Sequence, residues 1–457
     1  MSKLLESTLI TGDSYKYGHP FLLRDDIAYQ YNYMEARKGD DIIFVGMQYY
    51  IKKFLTKVPS KKQIKKVKKM ALKHGIYFDE KMWKYINKLG YYPIRIKAIP
   101  EGTKVPSGVP LVTFENTDPE CVGLVGFLET LFMKVWMPTS VATQSYEVKQ
   151  MLLKYGSPEW AEYAYHNFGS RSTTSLEHDM IAGYTHLTQF KGTDSFSSLF
   201  FCEKYYNQIK EPAGYSVLAT EHSVTTINGI ENEEEFVYNT LLNNPNAPII
   251  SFVGDSYDIY KFTDFVTNPN GRIRQLLDKR ENQKLVIRPD SGEPIEVLSK
   301  IVATMDNNDC FDTKIKDKLL STKYDILWGD GITLETIEYI LKHFTKEGYT
   351  AENFIFGSGT DLVNSKDRDT YGFAIKCSSV ILKNGVELDV FKDPITAPNK
   401  KSKRGRIETA VNQLTKTYRA VCREYDKNEV EALQLVFEDG KLYNETSLGN
   451  IRSNSLK

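Results

Sequence analysis

The sequence is poor in cysteine. Its five cysteines, Cys121, Cys202, Cys310, Cys377 and Cys422, are scattered and show no CxxC spacing. That pattern speaks against a disulfide framework or a structural zinc site and fits a reducing compartment. There is no charge surplus either, since Lys+Arg and Asp+Glu both number 59. A general nucleic-acid binder gains from counterion release only with a basic excess, so the balance argues against one while leaving room for a local anion site. No run approaches the ~18 apolar residues of a membrane span. Residues 1–11 lack the basic-then-apolar pattern of a secretion signal. A cytoplasmic protein with no nucleic-acid or membrane partner is the expectation. P-loop GxxxxGK[ST], strong GxGxxG, HxH and HExxH patterns are all missing, so ordinary kinase and Rossmann dehydrogenase readings gain no support. A metal held by protein ligands alone is not expected, and any metal would be Mg2+ carried with phosphates.

What is present is a chain of 457 residues with 41% hydrophobic content, enough for two or three domains or one large barrel with an added domain. The stretch Leu285-Val286-Ile287-Arg288-Pro289-Asp290-Ser291-Gly292 is central. Its branched apolar run reads as a strand buried on both faces, stopped by Pro289 and the Ser-Gly pair. Arg288 and Asp290 then stand at a strand end, either as a surface salt bridge or as charges presented from a rigid base.

The pattern repeats. Apolar runs end in Gly169-Ser170-Arg171, Gly192-Thr193-Asp194, Glu221-His222, Gly254-Asp255, Gly329-Asp330-Gly331 and Gly357-Ser358-Gly359. The later ones recur about every 30 to 40 residues with helix-like segments between, the length of a strand-plus-helix unit. Such repeats describe a β/α barrel with its site at the strand C-termini, and a doubly wound sheet is the competing architecture. Small or charged ends on all the strands favour a closed ring, where they converge. Residues 146–384 form this expected barrel. Residues 1–145 and 385–457 fall outside the pattern and are expected to pair into one α+β domain.

Within those tails, Val122 to Trp136 reads as an apolar helix with Pro138 after its end. The lysines from Lys57 to Lys73 read as the solvated face of a helix whose buried stripe is Ile64, Val67 and Ala71. Asp13 or Ser14 reads as a helix cap. The basic loop from Asn399 to Arg406 is either a solvated loop or a phosphate contact.

Alternating acids and arginines around one mouth suit a substrate with both hydroxyls and phosphates, because carboxylates accept from ribose hydroxyls and guanidinium groups fork onto phosphate oxygens. Gly357-Ser358-Gly359 is either a tight turn or a phosphate-approaching one. His222 is either structural or a base or phosphate acceptor.

The motifs carry a family resemblance over nearly the whole chain: Asp13-Ser14-Tyr15-Lys16, Tyr33 to Arg37, Glu115 to Cys121, Phe190 to Asp194, Gly214 to Val217, Glu221-His222-Ser223, Asp255 to Asp258, Ile287 to Gly292, Gly329-Asp330-Gly331, Phe356 to Gly359 and Phe391 to Pro394. The chain resembles the nicotinamide phosphoribosyltransferases, type II phosphoribosyltransferases of the bacterial or phage kind. The resemblance implies an irregular β/α barrel with a second α+β domain, acting as a homodimer with shared sites in NAD salvage. The implied reaction joins nicotinamide to phosphoribosyl pyrophosphate, with ATP coupled through phosphorylation of His222.

The implied site has Phe168 and the partner protomer's Tyr15 around the pyridine ring, and Asp194 accepting from the carboxamide. Asp13 and Ser216 are further substrate contacts. Arg288, Asp290, Gly329 and Asp330 hold the ribose-phosphate region, and Gly359, Thr360 and Arg368 take the 5′-phosphate. Arg171, His222 and Arg288 face the pyrophosphate, with Arg37, Lys376 and Lys392 adding charge. His222, Asp290 and Arg288 are the implied catalytic residues. A carboxylate substrate about 4 Å from Asp194 would meet roughly 4 kcal/mol of repulsion at an effective dielectric near 20, which favours the amide. Nicotinate transfer and a non-catalytic pyridine-nucleotide regulator are the alternatives. Ser170, Thr360 and Trp328 depart from the family's animal members and bear on substrate affinity.

Overall fold

The repeated apolar runs form seven short strands: β1 (Tyr165–Asn167), β2 (Gly192–Thr193), β3 (Leu218–Ala219), β4 (Ile249–Val253), β5 (Lys284–Arg288), β6 (Tyr324–Trp328) and β7 (Phe354–Ser358). In the computed structural model, which describes residues 2–312, 317–396 and 401–456, they make one sheet in the order β2-β1-β7-β6-β5-β4-β3. Every neighbouring pair is parallel. The two ends of the sheet meet at one parallel bridge between Gly192 and Tyr215, where Tyr215 N donates to Lys191 O at 2.7 Å and Thr193 N to Tyr215 O at 3.0 Å. Strands adjacent along the chain are neighbours or meet at that bridge, so no switch point exists and the doubly wound alternative falls. The result is an irregular β/α barrel with two very short strands at its seam.

Helices Leu176–His186, Glu233–Asn243, Ile259–Thr267, Pro294–Asn307 and Leu334–Lys346 connect these strands. Their starts follow cap chemistry: the side chains of Ser175, Asp258 and Thr333 accept from backbone N–H groups of the first turn. Leu285, Val286 and Ile287 of β5 are buried, as a strand covered on both faces requires.

The chain divides into two compact units, the first Met1–Thr143, Phe201–Ile209 and Lys366–Lys457, the second Gln144–Phe200 and Lys210–Ser365. The barrel is the second. In the first, an antiparallel sheet sets Ile27–Glu35 between Ala374–Leu382 and Pro110–Asn116, and continues through Ile94–Ala98 to Gln434–Glu438. Residues 366–384, assigned from sequence to the barrel, therefore belong to this unit. Their strand pairs with the opposite end of the chain, Leu382 opposite Ile27 and Ala374 opposite Glu35, and no local periodicity announces such a partner.

Two further expectations change in the first unit. The helix Val122–Met133 stops before Trp136, and Pro138 sits in the first turn of the next helix, Trp136–Leu152, where proline fits because the first turn lacks intrahelical N–H partners. The stretch Pro119–Leu152 is long and apolar enough to cross a membrane by length and composition, with mean hydropathy 1.4. A search for unbroken apolar residues passes over it, because scattered charges interrupt the run. Of its most apolar window, 56% is buried inside the protein, as in a core helix.

The lysine-rich helix Lys61–Lys73 buries Ile64, Val67 and Ala71, and a Ser60–Gln63 capping box starts it. In the basic loop, Asn399 and Lys400 lie outside the described residues. Lys401 pairs with Asp393 at 2.8 Å, Lys403 with Glu35, and Arg406 with Glu115 at 2.7 Å.

Burial pushes the Glu233 carboxyl, in the first turn of Glu233–Asn243, up to about 7, and Asp258 adds repulsion. Its Oε1 is buried without a hydrogen-bond partner. The folded state therefore keeps a proton that the unfolded chain releases near 4.5. This contribution to stability is complete below that value and is lost as pH rises through about 7. Glu233→Gln should melt with the wild type at acid pH and above it at pH 8, a comparison thermal scans make directly. Parallel Tm–pH curves would contradict this assignment.

Candidate active site

The strand β5 aligns Arg288 with Val253 of β4, and Gly254 N donates to Arg288 O at 3.0 Å. The ladder thus runs one residue past β4 and delivers Asp255 beside the end of β5. Arg288 Nη2 donates to Asp290 Oδ1 at 2.9 Å, with both side chains largely buried, so this is not a solvated surface bridge. The Arg288 guanidinium lies 5.2 Å from the centre of the Phe168 ring, a cation–π distance. Arg288 Nε is buried without a hydrogen-bond partner. A Cβ at Gly329 would approach Asp290 Oδ1 to 2.9 Å, so the glycine that follows β6 leaves room for this pair.

Asp255 is the joint of the cluster. Its Oδ1 meets His222 Nε2 at 2.9 Å, and its Oδ2 accepts from Asp290 N at 3.1 Å and Ser291 Oγ at 2.5 Å. Asp255 is 7% exposed and His222 49%, so a buried carboxylate orients a half-exposed imidazole. Sequence reasoning placed Asp255 at a strand end and gave it no role. The Gly254-Asp255 ending was the available signal, but the bond to His222 depends on register.

On the other side, Phe168 follows β1 and its N–H donates to Ser358 O at 2.8 Å; Asp194 N donates to Asn167 O at 2.9 Å. Ser216 Oγ donates to Asp194 Oδ1 at 2.6 Å. Among the described residues, that leaves the second oxygen of an exposed carboxylate available. Burial lowers the pKa of His166, and Asp194 partly opposes it. Tyr163, His166, Ser216 and Ser251 line a cavity of about 570 Å³ in the barrel, which reaches Lys284 and Asp325 at the strand starts.

At the last strand end, Ser172 and Thr360 hydroxyls lie 2.7 Å apart. Trp328 is buried and its Nε1 donates to Asp330 O at 2.7 Å, so this departure braces the Gly329-Asp330 turn. Asp330 and Arg171 are exposed. Among the described residues, no group of three or more His, Cys, Asp and Glu side chains is arranged to hold a metal ion.

One constellation thus links Phe168, Arg288, Asp290, Asp255 and His222 in sequence, with Gly329 against it, Asp194 and Ser216 beside Phe168, and the Gly359-Thr360 turn on the adjacent strand. The remaining predicted residues belong to the first unit. There Asp13 Oδ2 accepts from Thr130 Oγ1 at 2.8 Å, Tyr15 is exposed, Arg37 pairs with Glu35 at 2.9 Å, and Arg368 pairs with Asp369 at 2.8 Å. Burial lowers the pKa of Lys376, followed by repulsion from Arg37. Lys392 N donates to Ser402 Oγ at 2.8 Å, and Lys392 O accepts from Ser402 N at 2.9 Å.

The fold is that of the type II phosphoribosyltransferases. It is similar to nicotinate-nucleotide pyrophosphorylase from Pyrococcus furiosus, with TM-score 0.62 and 12% identity, covering 98% of this chain and 95% of that one. It is also similar to human nicotinic acid phosphoribosyltransferase, with TM-score 0.57 and 14% identity, covering 97% and 92%. Residues 163–440 match the nicotinate phosphoribosyltransferase (NAPRTase) family, and residues 7–96 match the nicotinamide phosphoribosyltransferase N-terminal domain. The nicotinamide phosphoribosyltransferase of Xanthomonas campestris is 34% identical over 99% of this chain and 98% of its own length. That of Acinetobacter baylyi is 30% identical over 90% and 88%. The chain belongs to the nicotinate phosphoribosyltransferase family and carries the N-terminal domain of its nicotinamide-type members.

A Cβ at Gly357 would overlap the Phe168 ring, so that glycine sets the ring's seat. Gly357→Ala should cost about 1–3 kcal/mol through overpacking and displace the ring. Chemical denaturation measures the stability loss, and pyridine binding by calorimetry measures the displacement. Unchanged pyridine affinity would remove Gly357 from this role.

Proposed function

We propose that this chain transfers the phosphoribosyl group from phosphoribosyl pyrophosphate to nicotinamide, giving nicotinamide mononucleotide and pyrophosphate. The names of its full-length relatives support this reading. The observation that carries the choice of substrate is Asp194, whose Oδ1 is held by Ser216 and whose other oxygen is left to accept from a carboxamide N–H. A nicotinate carboxylate would meet like charge there. Phe168, braced by Gly357 and by the Arg288 guanidinium, supplies a ring face for the pyridine.

The chemistry follows from fixed charge. The C–O bond between the anomeric carbon and pyrophosphate breaks, the electron pair leaves with pyrophosphate, and the ring nitrogen of the pyridine forms the new C–N bond. Positive charge builds on the sugar as the anion departs. Arg288 and Arg171 meet the pyrophosphate, and Asp290 faces the ribose. Preorganised groups of this kind typically contribute about 3–4 kcal/mol each to barrier lowering. Mg2+ fits as an ion carried by the substrate phosphates, where it would neutralise charge. Asp330 is an exposed strand-end carboxylate that would serve as a ligand to it, in keeping with the few protein ligands Mg2+ takes in such sites.

ATP coupling belongs to the same proposal. With Nε2–H donated to Asp255, His222 keeps a lone pair on Nδ1. That atom would attack the terminal phosphorus of ATP, forming a P–N bond as ADP leaves. Homodimeric sharing of the site, the roles of Tyr15 and the first unit's cations, and a cytoplasmic setting enter through the family resemblance.

Incubation with phosphoribosyl pyrophosphate and each pyridine, following pyrophosphate release, tests the reading. Faster turnover of nicotinate, or binding without release, would overturn it. Asp194→Ser should narrow the amide-to-acid ratio of kcat/KM by up to about a thousandfold, from the roughly 4 kcal/mol repulsion. An unmoved ratio would place specificity elsewhere. His222→Ala should abolish ATP stimulation while basal transfer persists; stimulation that survives would exclude the phosphohistidine.

A further inference from the structure

We propose that Ser172 is a phosphate-positioning residue, acting with Thr360 to set the seat of the substrate's 5′-phosphate. The inference rests on the function proposed above and adds a residue that the motifs did not single out. Ser172 closes the short turn Gly169–Ser172 after β1, and Thr360 opens the segment after β7. These strands are neighbours, paired through Ser358 and Asn167, so the bond between Ser172 Oγ and Thr360 Oγ1 at 2.7 Å joins two adjacent loops at the mouth.

Three features make this a place for an anion. Of the two hydroxyls, one donates to the other, and the remaining O–H is free to turn to a ligand. Arg171, next to Ser172, is exposed and makes no ion pair among the described residues. The carboxylate closest in sequence, Asp361, is tied back, its Oδ2 accepting from Gln144 Nε2 at 2.5 Å.

The Ser172 turn is itself anchored, since Thr173 Oγ1 donates to Ser170 O at 2.8 Å. Thr360 follows Gly359 and carries a side chain at that turn. A bare glycine turn seats phosphate by backbone alone. Here the Thr360 side chain occupies that approach, and Ser172 fixes which way it points. Ser172 thereby links the Arg171 turn, on the pyrophosphate side, to the 5′-phosphate turn.

The test is steady-state kinetics of the full-length enzyme with both substrates varied. Ser172→Ala should raise KM for phosphoribosyl pyrophosphate about fivefold, the scale of one hydrogen bond. KM for nicotinamide and kcat should stay within about twofold, and Ser172→Thr should restore the wild-type value. In a Thr360→Gly background the same Ser172→Ala change should have little further effect, because partners in one contact are non-additive. An unchanged KM for phosphoribosyl pyrophosphate, an equal rise for both substrates, or full additivity would overturn the inference. A wild type with no turnover of the two substrates would instead sink the proposed function, so the two failures are distinguishable.

Discussion

One carboxylate joins the charged groups at the barrel mouth. Asp255 uses one oxygen to orient His222 and the other to hold the backbone N–H of Asp290 and the hydroxyl of Ser291. Asp290 in turn holds Arg288, and Arg288 lies over Phe168. A buried carboxylate is costly unless its oxygens are satisfied, and here they are satisfied by the groups that must be kept in register. The His222 imidazole, the Asp290 carboxylate and the Arg288 guanidinium are therefore set by a single connected arrangement.

That arrangement is possible because the β4–β5 ladder continues through Gly254 N to Arg288 O. A slip of one residue in this ladder would send Asp255 to the other face of the sheet. The glycines at 329 and 357 play the complementary part. Each removes a side chain where a charged pair or a ring needs the space. The site is thus shaped as much by missing Cβ atoms as by charges.

Much of the barrel was legible beforehand. Runs such as Ile249–Val253 and Leu285–Ile287 are short, branched and bounded by turn residues, so their strand character is local. The recurrence of charged endings pointed to a ring mouth, and the parallel sheet with its joined ends agrees. The membership of Ala374–Leu382 was not legible, because its partner Ile27–Glu35 lies at the far end of the chain. Nor was the break between Met133 and Trp136, where proline opens a helix that the apolar run made look finished. Asp255, Ser291 and Ser172 were named in motifs or passed over, because a hydroxyl or carboxylate reveals its partner only through register.

The sequence by itself determined the residue types at each strand end, the alternation of helix and strand, and the family motifs. Those follow from local pattern and from the chemistry each side chain brings. Only the tertiary structure decided which charges meet. It gave His222 to Asp255 rather than to Glu221, gave Asp290 to Arg288, left one oxygen of Asp194 open by assigning the other to Ser216, and closed the barrel at Gly192 and Tyr215. Hydrogen bonds act over about 3 Å, and distances on that scale between residues far apart in the chain are fixed by strand register and sheet curl, which no stretch of sequence contains alone.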